Sequence, residues 1–181
     1  MRVISGKYKG RKLSAPAGLN TRPTLDRAKE TLFNIIADRL SLSRVLDLFA
    51  GSGQLGIECL SRGATEAVFA DSSYEAIACI RKNTSFVEEK IKILHAMYPA
   101  VLKMLDGTFD VVLLDPPFKA GLYCDILQSL QREELLSDGA TVVCECDIAE
   151  KMPERVDKLV LEKQRKAGST VMYCIYRKEE K

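Results

Sequence analysis

The chain holds one histidine, His95, and its six cysteines include no Cys-x-x-Cys pair. A lone histidine excludes two-histidine metal sites. With no Gly-x-Ser-x-Gly elbow beside it, a Ser-His-Asp triad has no support either. Cys59, Cys79, Cys124, Cys144, Cys146 and Cys174 lie mostly among Leu, Ile and Val, the setting of buried free thiols in a reducing compartment. A disulfide framework or a zinc site is not expected, and no other metal is. No apolar run approaches the ~20 residues of a membrane span. Met1–Lys7 has no apolar h-region, so it does not read as a secretory signal. A cytoplasmic protein is the expectation, without a membrane partner and acting as a monomer.

Acid is missing from the N-terminal end. Residues 1–22 contain Arg2, Lys7, Lys9, Arg11, Lys12 and Arg22 and no Asp or Glu, whereas the whole chain has a net charge of only +2. A basic tip on a mildly acidic body points to a polyanion at one end, or else to a solvated basic tail. What is present is otherwise ordinary: 46% apolar and 29% charged residues in a chain of 181. That length predicts one domain with room for a small appendage.

Residues 2–13 contain two short candidate strands around a Gly turn, and 14–23, with Pro16, Gly18, Asn20 and Pro23, read as a loop. Thr24 can cap a helix whose stripe Leu32, Ile35, Ile36 and Leu40 carries it to about Leu40. Strand and helix then alternate. Strands are predicted at 44–49, 67–71, 91–95, 109–115 and 140–146, and helices at 54–62, 74–82, 99–105 and 121–130. The strands are continuous apolar runs, as in a parallel sheet covered on both faces. The alternation predicts an α/β doubly wound sheet. Strands at 158–165 and 170–177, joined at Gly168, add an antiparallel C-terminal hairpin.

Ligands of such sheets bind beyond the carboxyl ends of the strands. The first strand runs into Asp47-Leu48-Phe49-Ala50-Gly51-Ser52-Gly53, and Gly51, Gly53 and Gly56 match Gly-x-Gly-x-x-Gly. Asp71 ends the next strand, where a carboxylate can accept hydrogen bonds from a ribose diol. A nicotinamide dehydrogenase would explain this much. Asp47 discriminates: a pyrophosphate gains nothing from a further negative charge, but a ligand carrying an ammonium and a sulfonium does. The other reading of Asp47 is a cap on the loop backbone.

Asp115-Pro116-Pro117-Phe118 ends the strand that neighbours the first. The prolines stiffen the turn and donate no N–H. The Asp115 carboxylate and the Pro116 carbonyl form a pair of acceptors for the two N–H groups of an exocyclic nucleobase amine, and Phe118 offers a stacking face. A base inside a duplex could not reach such a pocket and must be extruded or already single-stranded.

Together with Arg2–Leu13 and Thr21–Asn34, these motifs closely resemble the RsmD family, class I S-adenosylmethionine (SAM)-dependent enzymes that methylate N2 of a guanine in bacterial small-subunit (16S) rRNA. The resemblance runs from Arg2 to the final hairpin. It implies a Rossmann-like, mostly parallel seven-stranded sheet with an antiparallel C-terminal hairpin. It implies SAM at Asp47, Phe49, Ala50, Gly51, Ser52 and Gly53, at Asp71 with Ser72, and at His95 and Ala96, where many methyltransferases contact the adenine. It implies the target guanine at Asp115, Pro116, Pro117 and Phe118. RNA contacts would fall on Arg2, Lys7, Lys9, Arg11, Lys12, Arg22 and Arg27. Residues 1–23 then form a hairpin extension that binds rRNA or the small-subunit particle, and 24–181 the methyltransferase domain. The family often has Glu where this chain has Asp71. An adenine-N6 methyltransferase of DNA or RNA is the nearest alternative, and the N-terminal block argues against it. A dehydrogenase leaves Asp47 and Asp115–Phe118 idle, and a non-catalytic RNA-binding assembly factor leaves both pocket motifs unexplained.

Overall fold

Runs of Val, Leu and Ile form five strands: β1 (Arg44–Leu48), β2 (Glu66–Asp71), β3 (Lys90–His95), β4 (Phe109–Leu114) and β5 (Leu136–Asp147). Helices α1 (Thr24–Ile35), α2 (Gln54–Ser61), α3 (Tyr74–Asn83) and α4 (Leu122–Arg132) precede or separate them. The computed structural model describes residues 1–16, 24–116 and 122–180. β6 (Arg155–Val156), β7 (Leu159–Lys166) and β8 (Val171–Lys178) complete one sheet in the order β3-β2-β1-β4-β5-β8-β7-β6. The first five strands pair in parallel, and β5 with β8, β8 with β7 and β7 with β6 pair antiparallel. The order reverses between β1 and β4, which opens a crevice at their carboxyl ends.

Both faces of the central strands are buried. One packs Tyr123, Ile126, Leu127 and Leu130 of α4 against Leu46, Val112 and Val142. The other packs Leu32 and Phe33 of α1, Ile57 and Leu60 of α2 and Ile77 and Ile80 of α3 against Val45, Val111 and Val143. No helix among the described residues is long and apolar enough to cross a membrane. All six cysteines are free, Cys124 exposed and the others buried.

Four elements differ from the sequence expectation. The sheet has eight strands, not seven: Arg155 and Val156 turn back through Asp157 (φ 50°) to pair with Val160 and Leu159, a ladder too short to show a period of two. α1 ends at Ile35 rather than Leu40. Ile36 leaves the helix (φ −103°, ψ 12°) and a 3₁₀ turn covers Ala37–Arg39. Leu32, Ile36 and Leu40 are all fully buried, so the tighter turn keeps the apolar stripe that makes the helix look longer in the sequence. The helix expected at 99–105 is likewise a 3₁₀ turn, Ala100–Met104.

The N-terminal segment makes one bridge, Arg2 to Lys12, rather than two strands. Beside that bridge Val3 N–H donates to the Arg11 carbonyl and Leu13 N–H to the Met1 carbonyl (both 3.0 Å), while groups between them turn to α2. Lys7 N–H donates to the Ser61 carbonyl (2.8 Å), Tyr8 N–H to Ser61 Oγ (2.9 Å), and Ser61 Oγ–H to the Ser5 carbonyl (2.5 Å). Gly6, at φ +80°, makes the contact possible: a Cβ there would sit 1.7 Å from the Ser61 carbonyl oxygen. Val3, Tyr8 and Leu13 are buried in the α1–α3 core.

Candidate active site

The carboxyl end of β1 turns sharply because three residues take positive φ: Phe49 (71°), Gly51 (55°) and Gly53 (75°). The Phe49 and Ala50 N–H groups both donate to the Ala70 carbonyl of β2 (3.0 and 2.9 Å), and Gly53 N–H to the Ala50 carbonyl (2.7 Å). A Cβ on Gly51 would meet nothing within 4 Å, so the loop tip faces open space.

Asp71 at the end of β2 holds this tip. Its Oδ2 accepts from Gly51 N–H and its Oδ1 from Ser73 N–H, both at 2.8 Å. Ser73 in turn caps α3 by accepting from Ala76 N–H. Ser72 is exposed, its carbonyl 3.0 Å from His95 Nε2, and Ala96 N–H donates to the Asp71 carbonyl (3.1 Å). Phe49, Ala50, Gly51, Asp71, Ser72, His95 and Ala96 thus meet at the ends of β1, β2 and β3. The Ser52 hydroxyl turns away and donates to the Met1 sulfur (3.4 Å).

Asp47 is buried, at 2% exposure, and its Oδ2 accepts from Gly56 N–H (2.9 Å) in the first turn of α2. It therefore caps the loop backbone from inside. Burial pushes its carboxyl up to about 8, and the negative charges of Asp115 and Asp71 add to the shift while the Gly56 hydrogen bond opposes it.

Asp115 follows β4 directly, one strand from the loop, since Leu114 is level with Leu48 of β1. Its side chain reaches solvent from a recess, and loss of surrounding water pushes its carboxyl up to about 6. Pro116 is buried. Pro117 and Phe118 lie outside the described residues.

Sequence reasoning misses Glu145 and Tyr173. Glu145 on β5 lies beside Asp115, and burial together with the Asp115 charge pushes its carboxyl up to about 8. Tyr173 on β8 stands opposite Glu145 in the sheet register. The only signal in the sequence is an acid inside an apolar strand, Val-Val-Cys-Glu-Cys. Asp47, Asp71, Asp115 and Glu145 make no ion pair among the described residues.

The basic residues of the N-terminal tip are on the surface, but not all are free. Arg2 Nε lies 3.1 Å from Asp26, and Lys7 Nζ lies 3.0 and 2.8 Å from Glu88 and Glu89. The Arg11 guanidinium sits 5.0 Å over the Phe86 ring. Lys9, Lys12 and Arg27 are exposed without an ion pair among the described residues. Arg22 lies outside them. Glu58, another residue the sequence does not flag, anchors the tip from within α2. Fully buried, it accepts from the Ile4 and Ser5 N–H groups (2.8 and 3.0 Å) and from Arg62 Nε (2.9 Å), with Lys29 Nζ at 3.9 Å.

A 710 Å³ cleft lined by Thr108, Gln131, Leu136 and Lys178 lies at the opposite edge, at the amino ends of β4 and β5, away from these carboxyls.

The family described as Conserved hypothetical protein 95 matches residues 1–177. The Escherichia coli protein named Ribosomal RNA small subunit methyltransferase D is 32% identical over 180 residues, covering 99% of this chain and 90% of its own. The Bacillus subtilis protein YlbH is 38% identical over 188 residues, covering 98% and 99%. The solved structure of Escherichia coli YhhF superposes with a TM-score of 0.89 at 32% identity, over 100% of this chain and 99% of that one.

Proposed function

This chain belongs to the Conserved hypothetical protein 95 family, the RsmD family of small-subunit rRNA methyltransferases, and on that premise we propose that it transfers a methyl group from SAM to the exocyclic N2 amine of a guanine in 16S rRNA. The observation that carries the reading is Asp115-Pro116 beside the glycine loop of β1, in a chain that aligns end to end with an enzyme named for small-subunit rRNA methylation. The rRNA, naked or within the small-subunit particle in the cytoplasm, is its partner.

The residues present fit SAM. Asp71, which makes no ion pair among the described residues, stands at the loop tip, where a ribose diol needs acceptors. The open space at Gly51 admits a ligand to the loop backbone. Each Asp71 oxygen spends one lone pair on a backbone N–H and keeps another for a ribose hydroxyl. Phe49, Ala50, Gly51, Ser52 through its backbone, Gly53, Asp71, Ser72, His95 and Ala96 would hold the cofactor. Asp47 acts indirectly, by fixing the loop through Gly56. When bound, SAM supplies an electrophilic methyl group on a cationic sulfonium.

The chain's own residues do the rest. Ionised Asp115 accepts one N–H of the amine and the Pro116 carbonyl accepts the other, which turns the nitrogen lone pair toward the methyl carbon. With SAM bound, the methyl group would leave sulfur, which keeps the bonding pair, and Asp115 would take the one proton that the amine nitrogen gives up on gaining the methyl. Alignment and charge stabilisation supply most of the acceleration, so no strong base is needed. The target nucleotide must be unstacked to enter. Tritium-labelled methyl transfer from SAM onto rRNA or small subunits from a strain lacking the protein, followed by nucleoside analysis, tests the reading. N2-methylguanosine is expected. N6-methyladenosine, or no transfer, overturns it.

A further inference from the structure

The sheet brings a second carboxyl to the level of Asp115. Leu114 of β4 is paired with Cys144 of β5, so the next residues, Asp115 and Glu145, stand level on strands ~4.8 Å apart. Level residues project to the same face. It is the face of α1–α3, for Val111 and Leu113 precede Asp115 in that core, and Val143 precedes Glu145. Glu145 is held from behind: Tyr173, only 1% exposed, is its partner on β8, and the Tyr123 hydroxyl donates to its carbonyl (2.5 Å). The side chain remains partly exposed and meets no Lys or Arg among the described residues. The mechanism above gives it no task.

Guanine and adenine differ beside the amine. Next to N2, guanine offers the N1–H donor and then the O6 acceptor. Next to N6, adenine offers a bare N1 acceptor. A carboxyl adjoining the one that holds the amine matches guanine: one oxygen accepts from N1–H and, when protonated, the other donates to O6. We propose that Glu145 reads the N1–H/O6 edge of the target guanine while Asp115 holds its N2 amine, and so sets the base selectivity of the site. The inference rests on the guanine-N2 activity proposed above. The mutual repulsion of the pair favours a single proton between them at neutral pH, on Glu145, whose neutral carboxyl is then donor and acceptor at once.

The test compares guanine with 2-aminopurine at the methylated nucleotide, in rRNA presented in the form that accepts methyl groups. 2-Aminopurine keeps the N2 amine but lacks N1–H and O6. Wild-type protein should prefer guanine by ~10- to 100-fold in kcat/KM, the span of one good two-point base contact. Glu145→Ala and the volume-filling Glu145→Leu should bring the ratio close to one, with S-adenosylhomocysteine binding unchanged by calorimetry. Glu145→Gln, which keeps an acceptor and a donor, should retain most of the preference. A wild-type ratio near one overturns the proposal whether or not any variant folds, and so does an unchanged ratio in a folded Leu variant. Absence of N2-methylguanosine from the wild-type reaction would instead remove the underlying activity.

Discussion

At Asp115, the carboxyl must be ionised to accept an amine proton. Replacing it with Ala should cut methyl transfer by ~10²–10⁴-fold while leaving SAM affinity nearly unchanged. Turnover close to wild type in that variant would remove Asp115 from the mechanism. Because its carboxyl is held at about 6, activity should climb as pH rises through that value and collapse below it. Asp47 titrates in a different role. Its folded-state value of about 8 lies above the ordinary carboxyl range, so between about pH 4 and 8 the folded protein binds more protons than the unfolded chain, and stability falls as pH rises. Asp47→Asn keeps an acceptor for Gly56 N–H and removes that titration. Its melting temperature without ligand should exceed the wild type's at about pH 8 and match it near pH 4. A wild-type melting temperature that holds steady across this range would contradict the assignment. Asp47, Asp71 and Asp115 are legible in the sequence because each ends or nearly ends an apolar strand. Glu145 is not, since its task depends on which residue of β5 comes level with Asp115, and register across a 21-residue crossover (115–135) leaves no local trace.

Among the elements, alternation of apolar runs and helical stripes marks the five parallel strands and four helices, and the Gly168 turn marks the last hairpin. The misreadings have separate physical causes. Burial periodicity cannot separate a final α turn from a 3₁₀ turn at Ala37–Arg39, and two residues are too few to display a strand at Arg155–Val156. The N-terminal segment reads as a hairpin from its Gly turn, and Arg2 and Lys12 do bridge, but the Ile4, Ser5, Lys7 and Tyr8 N–H groups are answered by α2, more than 40 residues away. Gly6→Ala tests that docking. The new methyl group would meet backbone, not a flexible side chain, so the segment must lift from Ser61. A stability loss of ~1–3 kcal/mol by denaturant titration is expected. A loss within about 0.5 kcal/mol, typical of a free surface site, would mean that the docking does not form.

Over the whole molecule, the basic tip is less positive than its residues suggest. Asp26, Glu88 and Glu89 already answer Arg2 and Lys7. If the tip meets rRNA phosphates, Lys9→Ala with Lys12→Ala should lower the log–log salt slope of RNA binding by ~0.7–0.9 for each phosphate no longer neutralised, and Lys7→Ala by much less. An unchanged slope in the double variant would make the tip a solvated surface. The Glu58 anchor limits what can be removed from this end. A chain trimmed of residues 1–13 would leave a fully buried carboxylate without two of its donors, and would strip Val3, Tyr8 and Leu13 from the α1–α3 core. Truncation would report on folding before it could report on RNA. The segment is a keystone rather than a cassette: it can be altered at its surface, but not lifted out or grafted onto another scaffold with its shape intact.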